Sequence, residues 1–184
     1  NQEKWKEELF NLQQLGYKEV LVQEFIKCDS ELDVIGFACN GDAYYCGQLK
    51  KMRISPSKKG SASYGKFMPI DDKEFYKKLS LYIKNLNFTG IFGADVFETK
   101  ENIFIEINFR NGANNYALTY DGVNIIILWI KSILNYDLSK EKVQITNSFY
   151  FRNDIFERVE LFKRNITLKE YFKTKKNSKV QLFN

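Results

Sequence analysis

Four polar residues in one short stretch could do chemistry together. Residues 91–112, IFGADVFETKENIFIEINFRNG, read as two strands joined by the polar turn ETKEN. The second strand alternates. Ile103, Ile105, Ile107 and Phe109 fall on one face, expected to be core, and Phe104, Glu106, Asn108 and Arg110 on the other. A turn centred between Lys100 and Glu101 pairs Glu98 with Ile103, Phe97 with Phe104 and Asp95 with Glu106. Directly opposed residues share a face with Cβ atoms roughly 4.5–5.5 Å apart, and like charges so placed repel. A bound divalent cation would account for the pair. Magnesium takes oxygen ligands, often one or two carboxylates plus substrate phosphates, and Asp95, Glu106 and the Asn108 amide supply such oxygens. The other reading is an edge hairpin with a solvated polar face and a slipped register.

The surrounding elements must position this row. Residues 2–15 have helical spacing, with Gly16 as a stop, and predict an amphipathic helix packed on a sheet. Residues 17–26, YKEVLVQEFI, predict a strand, and 31–39 a second one. Asn40-Gly41-Asp42 is a hairpin turn returning through 43–49. Residues 50–67, KKMRISPSKKGSASYGKF, are basic and rich in Ser and Gly, and read as a surface loop. That loop is either a plain connection or a flap bringing Lys50, Lys51, Arg53, Lys58 and Lys59 near an anion, with Gly60, Ser61 and Ser63 allowing close backbone approach. Residues 71–86 predict a helix capped by Asp71 or Asp72, with Phe75, Leu79, Tyr82 and Ile83 as its apolar stripe. Residues 111–124 read as a polar loop and 122–135 as a buried helix that could equally face a partner subunit. The tail predicts a strand at 149–153, a helix begun by Thr167 with Glu170 at capping-box spacing, and a strand near 179–183.

Composition removes several function classes. The chain has no histidine, which excludes His-based triads, bases and metal ligands. A net charge of +5 permits an anionic ligand without requiring nucleic acid. Cys28, Cys39 and Cys46 are odd in number and lack CxxC spacing, so they read as reduced thiols of a cytoplasmic protein. No apolar run approaches the ~20 residues needed to span a bilayer, and no signal peptide is visible.

The order of these segments carries a resemblance. Val22-Gln23-Glu24-Phe25-Ile26, then Glu31 and Asp33 opening the next strand, a helix, and GADVF…FIEINFR resemble the C-terminal half of an ATP-grasp domain over roughly residues 3–135. The flap KMRISPSKKGSASYGK is similar to the K-x-R…G-S-x-S segment of carboxylate–amine ligases of the D-aspartate-ligase kind and related carbamoyl-phosphate-synthase-like proteins. The resemblance implies an α+β fold of mainly antiparallel sheets with packed helices, as residues 1–135, incomplete at the N-terminus, with residues 136–184 a strand-helix-strand extension packed on it. It implies an ATP-dependent, amide-forming ligase that uses ATP and Mg2+ through an acylphosphate, present here as a piece of a longer enzyme. Gln23, Glu24, Phe25 and Ile26 match the adenine-binding segment, and Glu31 and Asp33 match acids near the ribose. Asp95, Glu106 and Asn108 match the magnesium ligands; Arg110, Arg53 and Lys51 match catalytic cations at the phosphates and substrate carboxylate. The implied partners are small carboxylate and amine substrates, with no nucleic acid, no membrane and room for a homo-oligomer. Phe109 stands where the subgroup has proline, and the lysine-bearing strand and Gly-rich loop of the family lie upstream of Asn1. The alternative is a non-catalytic nucleotide-binding or interaction module whose basic flap holds an anionic partner.

Overall fold

In a computed structural model, which describes residues 2–55, 60–70 and 73–182, one seven-stranded sheet organises the chain. Helix α1 (Gln2–Gln14) leads to strands β1 (Ser30–Cys39), β2 (Asp42–Ser55) and β3 (Ser61–Met68), helix α2 (Lys73–Asn85), and strands β4 (Gly90–Glu98) and β5 (Ile103–Asn108). A 3-10 helix (Asn115–Asp121), helix α3 (Ile125–Ile133), strand β6 (Phe149–Asn153), helices α4 (Asp154–Phe162) and α5 (Leu168–Asn177), and strand β7 (Ser178–Leu182) follow. The strand order is β5-β4-β1-β2-β3-β6-β7. Every neighbouring pair is antiparallel except β6–β7, which is parallel.

Strand β1 lies inside the sheet, between β4 and β2, and is buried on both faces. Leu32 and Val34 join Phe92, Ala94 and Val96 beneath Leu79 and Ile83 of α2. Ile35 and Phe37 point the other way, against Leu118, Ile125, Leu128 and Ile145. Asp33 shares that second face by alternation, so a hydrophobic face turns polar where β1 approaches β4 and β5. Asn40 and Gly41, with φ of 50° and 83°, make the two-residue turn into β2 that residues at positive φ favour. Thr167 caps α5. Its hydroxyl accepts from Glu170 N at 3.2 Å, while Glu170 Oε2 accepts from Thr167 N at 2.7 Å. Thr167→Ala should cost about 1 kcal/mol in urea unfolding, and an unchanged midpoint would contradict this role.

Several expectations need correction. Residues 17–26 form no strand; the segment pairs with none of the strands and is largely exposed, Phe25 at 90% and Leu21 at 85%. Its β propensity has no neighbour to pair with among the described residues. Helix α1 does not pack on the sheet; Trp5 and Phe10 are exposed, and Leu9 and Leu12 face residues 20–22 across a shallow groove. Of the expected loop 50–67, residues 50–55 and 61–67 instead lie in the paired strands β2 and β3, with Ala62, Ser63, Tyr64, Gly65 and Phe67 buried. Small residues conceal this strand, because Gly65 packs so closely on Leu49 that a Cβ would lie 2.6 Å from it. Lys58, Lys59, Asp71 and Asp72 lie outside the described residues.

Of the side chains expected in the core here, Ile103, Ile105 and Phe109 are exposed, at 37%, 40% and 44%, because β5 is the edge strand, while Ile107 packs half-buried against the α2-side core. Helix α3 is covered on one side only; Ile125 and Leu128 are buried while Ile126, Ile127 and Ile130 are exposed. The expected loop 111–124 holds a 3-10 turn that buries Asn115, Ala117 and Leu118. Helix α4 does not follow from apolar periodicity, since its buried stripe is Asp154, Glu157 and Glu160. All three cysteines are free. Among the described residues no helix is long and apolar enough to cross a membrane.

Candidate functional site: an acidic cavity at the β1–β4–β5 end of the sheet

The register of three strands builds the site. Asp33 on β1 lies opposite Asp95 on β4, and Asp95 opposite Glu106 on β5. Three carboxylates therefore form one row across the sheet. The expected Asp95–Glu106 pairing is present, but the register slips beyond it, so Phe104 opposes Val96 and Phe97 opposes Ile103. This bulge turns Phe104 to the α2 face, 6.4 Å from the Tyr82 ring, and keeps Glu106 and Asn108 on the polar face. Gly93, opposite Asn108, leaves room for the Asp33 carboxylate, because a Cβ there would lie 2.8 Å from Asp33 Oδ1.

Cations face the acids. Lys51 Nζ donates to Asp95 Oδ1 at 2.6 Å and lies 3.4 Å from Glu31 Oε2. Asn108 Nδ2 donates to Asp95 Oδ2 and Glu106 Oε1, each at 3.3 Å. Asp33, Lys51, Asp95, Glu106, Asn108 and Arg110 all line a cavity of about 360 Å³ closed by Gly60–Ala62 and Gly112–Asn114. Burial and the neighbouring Asp95 push the Asp33 carboxyl up to about 7, against the opposing pull of Lys51 and Arg110. Burial would lower the Lys51 ammonium, but its hydrogen bond to Asp95 and the charges of Asp95, Asp33 and Glu31 raise it overall.

A pH dependence follows. Folded Asp33 holds its proton more tightly than the unfolded chain does, so its contribution is complete below the ordinary value of 3.8 and lost as pH rises through about 7. Asp33→Asn should remove that loss, leaving the variant the more stable near roughly pH 8 and the two chains closer near roughly pH 4. Melting temperatures across that range test it, and a pH-independent difference would contradict it.

The cavity brings Lys51, Asp33, Asp95, Glu106, Asn108 and Arg110 together. Glu31 lies one step away, in a shallow depression it shares with Lys51 and Arg53. Arg53 turns from the acids to an ion pair with Glu157 of α4. Gln23, Glu24 and Phe25 stand exposed on the irregular segment after α1, and Ile26 half-buried. Asn114 was not foreseen. It is 8% exposed at the cavity wall and caps no helix with its side chain. The signal was its place in NFRNGANN, directly after the polar strand.

The donor set suits a hard cation, being oxygen-rich, anionic and short of the soft ligands a transition metal would need. Among the described residues no three acidic groups converge as a ready-made metal cage. Lys51 and the Asn108 amide nitrogen take up Asp95 instead.

No protein-family model matches the sequence, and no curated protein is similar to it. Solved structures do match. The phosphoribosylaminoimidazole carboxylase ATPase subunit from Aquifex aeolicus is 20% identical with a TM-score of 0.53, over 65% of this chain and 39% of its own. The biotin carboxylase β,γ-ATP complex from Campylobacter jejuni is 18% identical with a TM-score of 0.53, over 70% and 30%. The N5-carboxyaminoimidazole synthase from Aspergillus clavatus, in complex with ADP and 5-aminoimidazole ribonucleotide, is 13% identical with a TM-score of 0.52, over 68% and 35%. The chain thus spans 30–39% of the length of these matched structures. At such identities the likeness speaks for the backbone, and with the strand register above it gives this chain an ATP-grasp-like fold.

Proposed function

We propose that this chain is the metal- and phosphate-facing part of an ATP-dependent ligase that joins a small carboxylate to an amine. The observation that carries the reading is the row Asp33–Asp95–Glu106 facing Lys51 and Arg110 in one cavity. The matched structures solved with ATP or ADP support the nucleotide. Asp95, Glu106 and the Asn108 amide oxygen would hold Mg2+, which when bound neutralises charge developing on the phosphates. Glu31 and the segment Gln23–Ile26 would receive the nucleoside.

In the reaction an oxygen of the substrate carboxylate attacks the γ-phosphorus, and the bond to the leaving ADP oxygen breaks. An amine nitrogen then attacks the acyl carbon, phosphate leaves, and the nitrogen loses a proton. No side-chain nucleophile is required, consistent with a chain that lacks histidine. Lys51, held in place by Asp95, and Arg110 on the rim would stabilise the transferred phosphoryl group as cations. Asn114 offers the substrate an uncharged donor and acceptor beside Arg110. Arg53 serves the flap. The reading includes a cytoplasmic location, residues 1–135 as the ATP-grasp part with 136–184 as its extension, small-molecule partners without nucleic acid or membrane, and room for a homo-oligomer.

A second reading, a non-catalytic nucleotide-binding or interaction module, is favoured by Asp95, whose oxygens already accept from Lys51 and the Asn108 amide nitrogen. Calorimetric titration separates the two. A ligase part binds ADP with magnesium and loses it in chelator. A basic interaction surface binds without magnesium and weakens steeply with salt.

A further inference from the structure

Glu157 on α4 has no exposed surface, yet three donors from three elements end on it. Its Oε2 accepts from Arg53 Nη1 and from Thr174 Oγ1 at 3.1 Å, and its Oε1 accepts from Ser63 Oγ at 2.9 Å. One turn later, Glu160 accepts from Ser55 Oγ at 2.6 Å. Arg53 and Ser55 belong to β2 and Ser63 to β3, so α4 holds both arms of one hairpin. It does so where the ladder is poorest, since the β2–β3 register slips on either side of Arg53. Ser63 Oγ also reaches the Arg53 carbonyl at 3.3 Å.

The same hairpin supplies one wall of the acidic cavity. Lys51 precedes Arg53 by two residues and Ser61 precedes Ser63 by two, and both line it. Stability alone does not explain carboxylates on the buried face of α4, because apolar residues of similar volume would serve at least as well. What a buried, fully hydrogen-bonded carboxylate adds is direction. We propose that Glu157 is a positioning residue: through Arg53 and Ser63 it sets the pose of the β2–β3 hairpin, and so places Lys51 against Asp95. The residues after β5 then serve the site as a clamp on its flap. The inference rests on the nucleotide reading of the cavity only for its effect on ligand.

The test uses the full chain and Glu157→Gln, which keeps the shape and one acceptor oxygen, enough for Ser63, but removes the charge facing Arg53. Should that variant fold poorly, Arg53→Gln removes the same pair from its exposed end. The first readout needs no ligand. The rate of Lys51 acetylation by acetic anhydride, and amide exchange over 50–55 and 61–66, should rise about tenfold while amides of β1 and β4 do not change. The second is the dissociation constant for Mg-ADP well below the melting temperature, which should weaken about tenfold. Unchanged Lys51 reactivity and hairpin exchange would overturn the clamp, whatever happens to stability. Faster reactivity with unchanged Mg-ADP affinity would overturn its service to the site. A wild-type chain that ignores Mg-ADP would sink the nucleotide reading, and the ligand-free readout would still decide the clamp.

Discussion

Arg152→Ala should be the most destabilising single change outside the cavity, at about 3–5 kcal/mol. Arg152 has no exposed surface, and its Nη2 faces Asp154 Oδ1 at 2.6 Å. Its Nη1 donates to the Tyr171 carbonyl at 3.0 Å, and the guanidinium lies 4.5 Å from the centre of the Tyr171 ring. Truncation leaves the buried Asp154 carboxylate to Arg158, whose side chain is 56% exposed, and strips the Tyr171 carbonyl of a donor. The cost of breaking a buried pair comes mainly from the charge left behind. Urea unfolding measures it. A loss below about 1 kcal/mol, as for a surface pair, would show that Asp154 is not dependent on Arg152.

Lys51→Met should have the second-largest effect and a distinctive pH dependence. The Lys51 side chain is 12% exposed and is the nearest cation to Asp95. Without it, opposed carboxylates on three strands lose their main counter-charge, and the chain should lose about 3 kcal/mol at roughly pH 8. The loss should shrink on acidification through about 7, where Asp33 takes up its proton and one of the repelling charges disappears. In the account of the cavity as a cation site, added Mg2+ should restore part of the stability of Lys51→Met at high pH and do little at low pH. A loss independent of both pH and magnesium would mean that Lys51 acts by packing alone.

The sequence was legible where polarity alternates against a buried background. The Asp95–Glu106 pairing and the shared face of Glu106, Asn108 and Arg110 follow from such alternation, and Asn40-Gly41 announced its hairpin. It was illegible where composition hid the geometry. Strand β3 reads as a loop because its buried positions hold Ser and Gly, sized to fit against Leu49 and Glu157. Helix α4 escapes because its inward stripe is acidic, and only the spacing Asp154, Glu157, Glu160 together with unplaced arginines could have revealed it. The bulge at β5 reverses Phe104, a one-residue event that no periodicity records. Residues 17–26 show the converse failure, where strong β propensity without a partner strand gives an exposed irregular segment.

The central claim is that Asp95 and Glu106 hold a magnesium-bound nucleotide. The most direct measurement is thermal melting of the chain and of the double variant Asp95→Asn, Glu106→Gln, each with ADP in magnesium and with ADP in chelator. The account predicts that magnesium and ADP together stabilise the chain, by about 2.7 kcal/mol at 100 times the dissociation constant, and that the double variant shows no such shift. Equal shifts in chain and variant, or a shift in the chain that survives chelation, would contradict it.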